Sequence, residues 1–165
     1  MLIGIGGLSR SGKTKLAKRI KGLFKEQKVI LLHQDDFVKA EEDIPLIQNH
    51  IDWEVPESID LPRWRSTIEQ ARREHEVVIL EGIFIFAFPE INAAYDKSIF
   101  VEIPRQVFLD RKRVDLRWGK EPEWYIQYIW GAYQRYGLPP KELEVYRVSG
   151  NRKTDMEALQ SYLGS

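Results

Sequence analysis

The sequence predicts an α/β fold, a five-stranded parallel sheet with helices on both faces in three layers. Three observations lead there. Short continuous apolar runs, the clearest being Val77-Val78-Ile79-Leu80, mark strands buried on both faces, as parallel strands are. These runs alternate with stretches in which apolar residues recur at helical spacing. The first run leads through the glycine-framed segment Gly7-Leu8-Ser9-Arg10-Ser11-Gly12-Lys13-Thr14 into a helix, a strand–loop–helix unit.

Taken in order, Leu2 to Gly6 is the first strand, and the helix after the loop carries Leu16, Ala17, Ile20, Leu23 and Phe24 on one face. Lys28 to His33 reads as a second strand, ending at the polar Gln34-Asp35-Asp36-Phe37. Residues 38–61 lack periodicity and read as an excursion over the sheet edge. Asp60 and Pro62 signal a helix start, with Trp64, Ile68 and Ala71 inward. Glu76 to Gly82 is the third strand. The apolar run from Ile83 to Phe88, before Pro89, is compatible with a short helix. Lys97 to Ile103 is the fourth strand, and a basic helix is expected from Arg105 to about Trp118. A further helix starts near Pro122, with Tyr125, Ile129, Ala132, Tyr133 and Tyr136 on one stripe, and stops at Gly137-Leu138-Pro139-Pro140. Leu143 to Val148 is the fifth strand. Thr154-Asp155-Met156-Glu157 reads as a capping box opening the last helix.

At 165 residues the chain suits a single domain, 1–165. The 25 basic and 25 acidic residues cancel, so no global field favours nucleic acid or a membrane surface. The absence of cysteine rules out disulfides and cysteine metal sites. No run has the length of a membrane span and the amino terminus reads as a core strand, so a cytoplasmic location is the default expectation.

The glycine-framed loop has the spacing of a phosphate-binding loop, and chemistry explains that spacing. Gly7 and Gly12 allow backbone conformations that let successive N–H groups converge on phosphate oxygens. The following helix adds its positive end. Lys13 reaches the β- and γ-phosphates, and the Thr14 hydroxyl holds Mg²⁺. The segment therefore predicts binding of a nucleoside triphosphate.

Asp35, Asp36 and Glu81 fall at or near strand carboxyl ends, where such sheets bind ligands. Phosphoryl transfer needs a carboxylate to orient and deprotonate the attacking hydroxyl, and oxygens to hold a hydrated metal. Asp35 suits the first role and Glu81 the second; one of Asp35 and Asp36 is expected to cap a turn. Arg111, Lys112, Arg113 and Arg117 lie in a lid of about 111–121, which either folds arginines onto the transferring group or is simply a solvated helix face. Trp53, between Asp52 and Glu54, suits ring stacking on a nucleoside whose sugar hydroxyls the acids accept; the alternative is a tryptophan anchoring the loop to the core.

With these residues in view, the chain resembles the nicotinamide riboside kinases, within the uridine kinase-like branch of phosphate-loop (P-loop) kinases. The matching segments are Gly6 to Thr14, Gln34 to Phe37, Trp53-Glu54-Val55-Pro56-Glu57-Ser58-Ile59-Asp60, Val78 to Gly82 and the basic lid from Arg111. The resemblance implies a P-loop kinase fold with a short lid, ATP and Mg²⁺ as cofactors, and a small-molecule nucleoside as partner, in a monomer or homodimer. It implies that Gly7, Ser9, Arg10, Ser11, Gly12, Lys13 and Thr14 hold the phosphates, with Arg113 and Arg117 as lid contacts. Asp35 would be the general base for a sugar 5′-hydroxyl. Glu81 would support Mg²⁺ and the substrate hydroxyl, with Asp36 and Phe37 beside the substrate. Trp53 would stack on the base, and Trp118 is a candidate for its second face. The family has aspartate after the stacking aromatic where this chain has Glu54, so Glu54 or Asp52 is left to hold the ribose.

Two other acceptors, uridine/cytidine or a small alcohol such as pantothenate, belong to the same reaction class. A non-catalytic nucleotide switch is the different class. A GTPase would want Asp-x-x-Gly after the third strand and Asn-Lys-x-Asp later; Glu81-Gly82 and Asn151-Arg152-Lys153-Thr154-Asp155 match neither, so adenine is expected.

Overall fold

Strand pairing brings together segments that are far apart in sequence. In the computed structural model, which describes residues 1–117 and 119–164, β1 (Leu2–Gly7) leads through the phosphate loop into α1 (Lys13–Lys21). Then come β2 (Val29–His33), a small antiparallel hairpin of β3 (Leu46–Ile47) and β4 (His50–Ile51), and α2 (Leu61–Glu74). The rest of the chain forms β5 (Val77–Gly82), α3 (Pro89–Asn92), β6 (Lys97–Glu102), α4 (Arg105–Arg113), α5 (Glu123–Ala132), β7 (Tyr146–Ser149) and α6 (Met156–Leu163). The five long strands form one parallel sheet in the order β2-β5-β1-β6-β7.

Alternation along each strand divides the core in two. Ile3, Ile5, Ile79 and Ile99 point to one face and pack under Leu16, Ala17 and Ile20 of α1 and Leu159 and Leu163 of α6. Leu2, Val78, Leu80 and Phe100 point to the other face, against Trp64 of α2, Phe108 of α4 and Ile129 of α5. This is the doubly wound, three-layer architecture of P-loop kinases. Among the described residues no helix is long and apolar enough to cross a membrane.

The element boundaries differ from expectation in four places, each for a local reason. The basic helix ends at Arg113, not near Trp118, because the Asp115 carboxylate folds back to accept from the backbone N–H of Arg117, closing a tight turn. Ile83 to Phe88 is a turn, not a helix, and side chains satisfy its backbone. Gln34 accepts from the N–H of Phe84, while Tyr95 and Asn92 donate to the carbonyls of Ile85 and Phe86. The fifth strand begins at Tyr146, where pairing with β6 begins. The cap of α6 is Asp155, one residue after the expected Thr154; its Oδ1 accepts from the N–H groups of Glu157 and Ala158 at 3.1 and 3.0 Å. Asp60, by contrast, caps α2 where the sequence put it, accepting from Arg63 N, a bond worth about 1 kcal/mol.

Candidate active site

The loop between β1 and α1 owes its shape to two glycines with positive φ, Gly7 at 149° and Gly12 at 99°. A side chain on Gly7 would also meet the Val101 carbonyl oxygen at 2.5 Å. Lys13, the first residue of α1, is buried and its Nζ donates to the Leu8 carbonyl oxygen at 3.0 Å. Ser9 is half-buried, Arg10 stands exposed at the apex with φ 62°, and Ser11 is fully buried with a hydroxyl that has no partner among the described residues. An unpaired buried hydroxyl is costly unless a ligand satisfies it.

Sheet register supplies the acids. His33 and Glu81 are paired positions at the ends of neighbouring strands β2 and β5, and Ile5 of β1 faces Glu81 from the other side. The Thr14 hydroxyl donates to Glu81 Oε1 at 2.9 Å, and His33 Nδ1 meets the same oxygen at 2.6 Å. Glu81 is only 5% exposed, so its carboxylate is held beside the phosphate loop.

Asp35 follows β2 by two residues, in a single helical turn over Gln34–Phe37. Gln34 is buried beneath the Gly82 backbone and Phe37 packs on Trp64 with ring centroids 4.7 Å apart. These two inward anchors leave the Asp35 and Asp36 side chains facing water. Neither caps the turn. The cleft walls strip solvent from Asp35 and raise its carboxyl above the usual carboxylate range, which Lys13 opposes. The residue as a whole nevertheless remains exposed. Lys13 is pushed down by desolvation, while Glu81, Asp35 and Glu54 pull it back up. Lys13 and the three carboxylates thus bear on one another electrostatically.

The substrate-side residues separate into distinct roles. Asp52 is buried, and its two oxygens accept from the Tyr128 hydroxyl at 2.5 Å and the Glu54 N–H at 3.1 Å. Glu54, by contrast, has no hydrogen bond to its carboxyl among the described residues. Desolvation lifts it to about 7, with Lys112 opposing. Trp53 lies half-buried between them. Phe37, expected beside the substrate, is a core residue instead, wedged between Trp64 and the Arg63 guanidinium.

The expected lid arginines also divide. Arg117 forks onto Asp115, holding that carboxyl down at about 2, and its charge reaches Lys13 and Asp35. Arg113 does not join them: it pairs with Glu123 at 2.7 Å on the exposed end of α4. The Trp118 expectation falls outside the described residues.

No family model matches the chain. Over 180 aligned residues it is 25% identical to human nicotinamide riboside kinase 1, covering 98% of this chain and 89% of that protein. A possible uridine kinase from Bacillus stearothermophilus superposes with a TM-score of 0.57 at 19% identity, covering 88% of this chain and 86% of that one. A shikimate kinase from Bacteroides thetaiotaomicron gives 0.65 at 17% identity, covering 100% and 99%. The chain is similar to the nicotinamide riboside kinases and has the P-loop kinase fold. It is a phosphotransferase acting on a hydroxyl group.

In this kinase His33 and the segment after β7 stand near the phosphate loop although no site role was expected for them, and Arg111, expected only as part of the lid, holds the loop apex. His33 was hidden because only strand pairing sets it against Glu81. Arg111 donates to the carbonyls of Arg10 and Gly150 at 3.0 and 3.1 Å, stapling the loop apex to the segment after β7. That segment approaches so closely that a side chain on Gly150 would meet the Ser11 carbonyl oxygen at 2.1 Å. Arg152, Lys153 and Thr154 then line a groove of about 230 Å³ along Ser11, Gly12 and Lys15. A signal was present, since this stretch is basic and follows a strand, but the sequence reading weighed it only as a guanine motif. A larger groove of about 650 Å³ lies beside Trp130, Gln134 and Leu138 and includes none of the predicted site residues.

Proposed function

We propose that this kinase transfers the γ-phosphoryl group of ATP to the 5′-hydroxyl of a ribonucleoside, nicotinamide riboside before others. What supports this reading is that Glu81, hydrogen-bonded to Thr14 at the strand ends, and Asp35 and Glu54 all bear electrostatically on the loop lysine Lys13. Backbone N–H groups of the Gly7–Thr14 loop and Lys13 hold the phosphates. Asp35 accepts the proton as the acceptor oxygen bonds to the γ-phosphorus, and the bond to the bridging oxygen breaks to release ADP. Desolvation raises its carboxyl above the usual carboxylate range, which makes it a stronger base than an ordinary aspartate.

Mg²⁺ fits the donor set. It dehydrates reluctantly and takes one or two protein oxygens plus phosphate and water, and the Thr14 hydroxyl and Glu81 carboxylate offer two hard oxygens side by side. When bound it neutralises charge on the phosphates. His33 keeps the Glu81 carboxylate oriented.

On the acceptor side, Glu54 holds the ribose hydroxyls, because the Asp52 oxygens are already engaged. The Trp53 ring stacks on the base, and a cationic pyridinium gains further from the acidic surroundings. The adenosine end of ATP lies in the groove along Ser11, Lys15 and Arg152. Arg117 faces the transferring group.

Incubation with Mg-ATP and a panel of nicotinamide riboside, uridine, cytidine and pantothenate, read by ADP release and product mass, tests the proposal. Phosphorylation of nicotinamide riboside is the expected result. Turnover of another panel member alone would move the acceptor, and ATP binding without transfer to any of them would leave a nucleotide switch.

A further inference from the structure

We propose that Tyr128 on α5 is a positioning residue for the acceptor: its hydroxyl fixes the Asp52–Glu54 turn and thereby aims the free Glu54 carboxyl into the cleft. The inference deepens the proposed function and rests on it for the identity of the acceptor.

The tie spans 76 positions of sequence and is short, Tyr128 Oη to Asp52 Oδ2 at 2.5 Å. Asp52 is 6% exposed, so its carboxylate depends on protein donors in place of water. It has one donor on each oxygen, the second being the N–H of Glu54 itself. The carboxylate is therefore a bridge. One end is clamped to α5, and the other sets the backbone of the residue whose side chain is left without a hydrogen bond.

The remaining contacts hold the segment, one of them at the same peptide: Ser58 Oγ donates to the Trp53 carbonyl at 3.3 Å, a longer bond than the Tyr128 tie. The Asp52 N–H donates to the Pro45 carbonyl at 2.8 Å, and Ser58 Oγ donates to the Val55 carbonyl at 2.7 Å. Tyr125 lies against the His50 ring, centroids 4.2 Å apart, pressing α5 on the hairpin through ring contact. Tyr128 supplies the polar tie. With the hydroxyl removed, Asp52 Oδ2 becomes a buried acceptor without a donor, and the carboxylate must rotate to find water or another partner. Rotation releases the Glu54 N–H as well. Glu54 bears electrostatically on Lys13 and Asp35, so its aim is what the turn controls.

Tyr128→Phe keeps the ring and deletes only the donor. The first readout needs no substrate: hydrogen exchange of amides 52–55 should speed up at least tenfold while β1 and β5 stay protected as in the parent. The second is kinetic. KM for nicotinamide riboside should rise about tenfold, with KM for ATP within twofold and kcat within threefold. Asp52→Asn, which keeps an acceptor but cannot satisfy both donors, should shift the same constant in the same direction, and the double variant should be no worse than the more affected single one. Unchanged exchange overturns the proposal, as does faster exchange with an unchanged acceptor KM. An equal rise in both KM values marks a structural role only and overturns it too. If the parent enzyme leaves nicotinamide riboside untouched, the acceptor assignment fails by itself; the exchange result still decides the tie, and the acceptor found in the panel takes its place in the KM comparison.

Discussion

Glu54→Gln should stabilise the protein at pH 8 and leave its stability nearly unchanged at pH 5. Desolvation raises this carboxyl from its ordinary 4.5 to about 7 in the fold. Between those values the folded state binds more protons than the unfolded chain, so stability falls as pH rises through the window and the loss is complete above the folded value. At about 1.4 kcal/mol per pH unit, the gap from 4.5 to about 7 bounds the cost at about 3.5 kcal/mol. Water reaches part of the side chain, so about 1–2 kcal/mol is the realistic share. Glutamine keeps the shape and cannot ionise. The neighbouring Lys112 keeps Glu121 at 2.8 Å and is not stranded by the change. For a domain of this size that energy corresponds to a rise of about 3–6 °C in Tm. Calorimetry of both proteins from pH 5 to 8.5, without nucleotide, measures it. A Tm difference that does not change with pH, or a variant less stable at pH 8, would show that Glu54 is an ordinary solvated carboxylate and would refute the reasoning.

Three further substitutions test the cleft. Asp35→Asn removes the proton acceptor while keeping the turn, so kcat should fall by about 10²–10⁴, with ATP affinity within threefold by calorimetric titration; a loss under tenfold would remove Asp35 as the base. Lys13→Ala should weaken ATP binding and turnover together, since this lysine is the buried cation among the carboxylates. Unchanged ATP affinity would count against the loop as the phosphate site. Gly150→Ala places a methyl 2.1 Å from the Ser11 carbonyl oxygen and must displace the loop, so KM for ATP should rise at least tenfold with acceptor KM little changed. An unaffected KM would mean that the segment after β7 does not shape the nucleotide groove.

The phosphate loop and the sheet were legible because their signals are local. Gly7, Gly12, Lys13 and Thr14 carry their chemistry in their spacing, and Val77 to Leu80 declares burial by composition. Asp35 and Glu81 were legible as strand-end acids, since the architecture puts such ends at the ligand crevice. Phe37 was placed beside the substrate by the resemblance alone, whereas the Trp64 that holds it in the core comes from a different element. Arg113 was misread for the same kind of reason: Glu123, ten residues on, captures it on the surface.

The chain by itself determined that a triphosphate-binding loop would head a doubly wound sheet, because a strand, two positive-φ glycines and a helix start are set by residues next to one another. Only the tertiary structure decided which acid beside Trp53 stays free. Asp52 and Glu54 are equivalent in a sequence, and a hydroxyl 76 positions away on α5 engages one of them and leaves the other without a hydrogen bond among the described residues. Burial, register and hydrogen-bond competition act through space, and no local pattern encodes them.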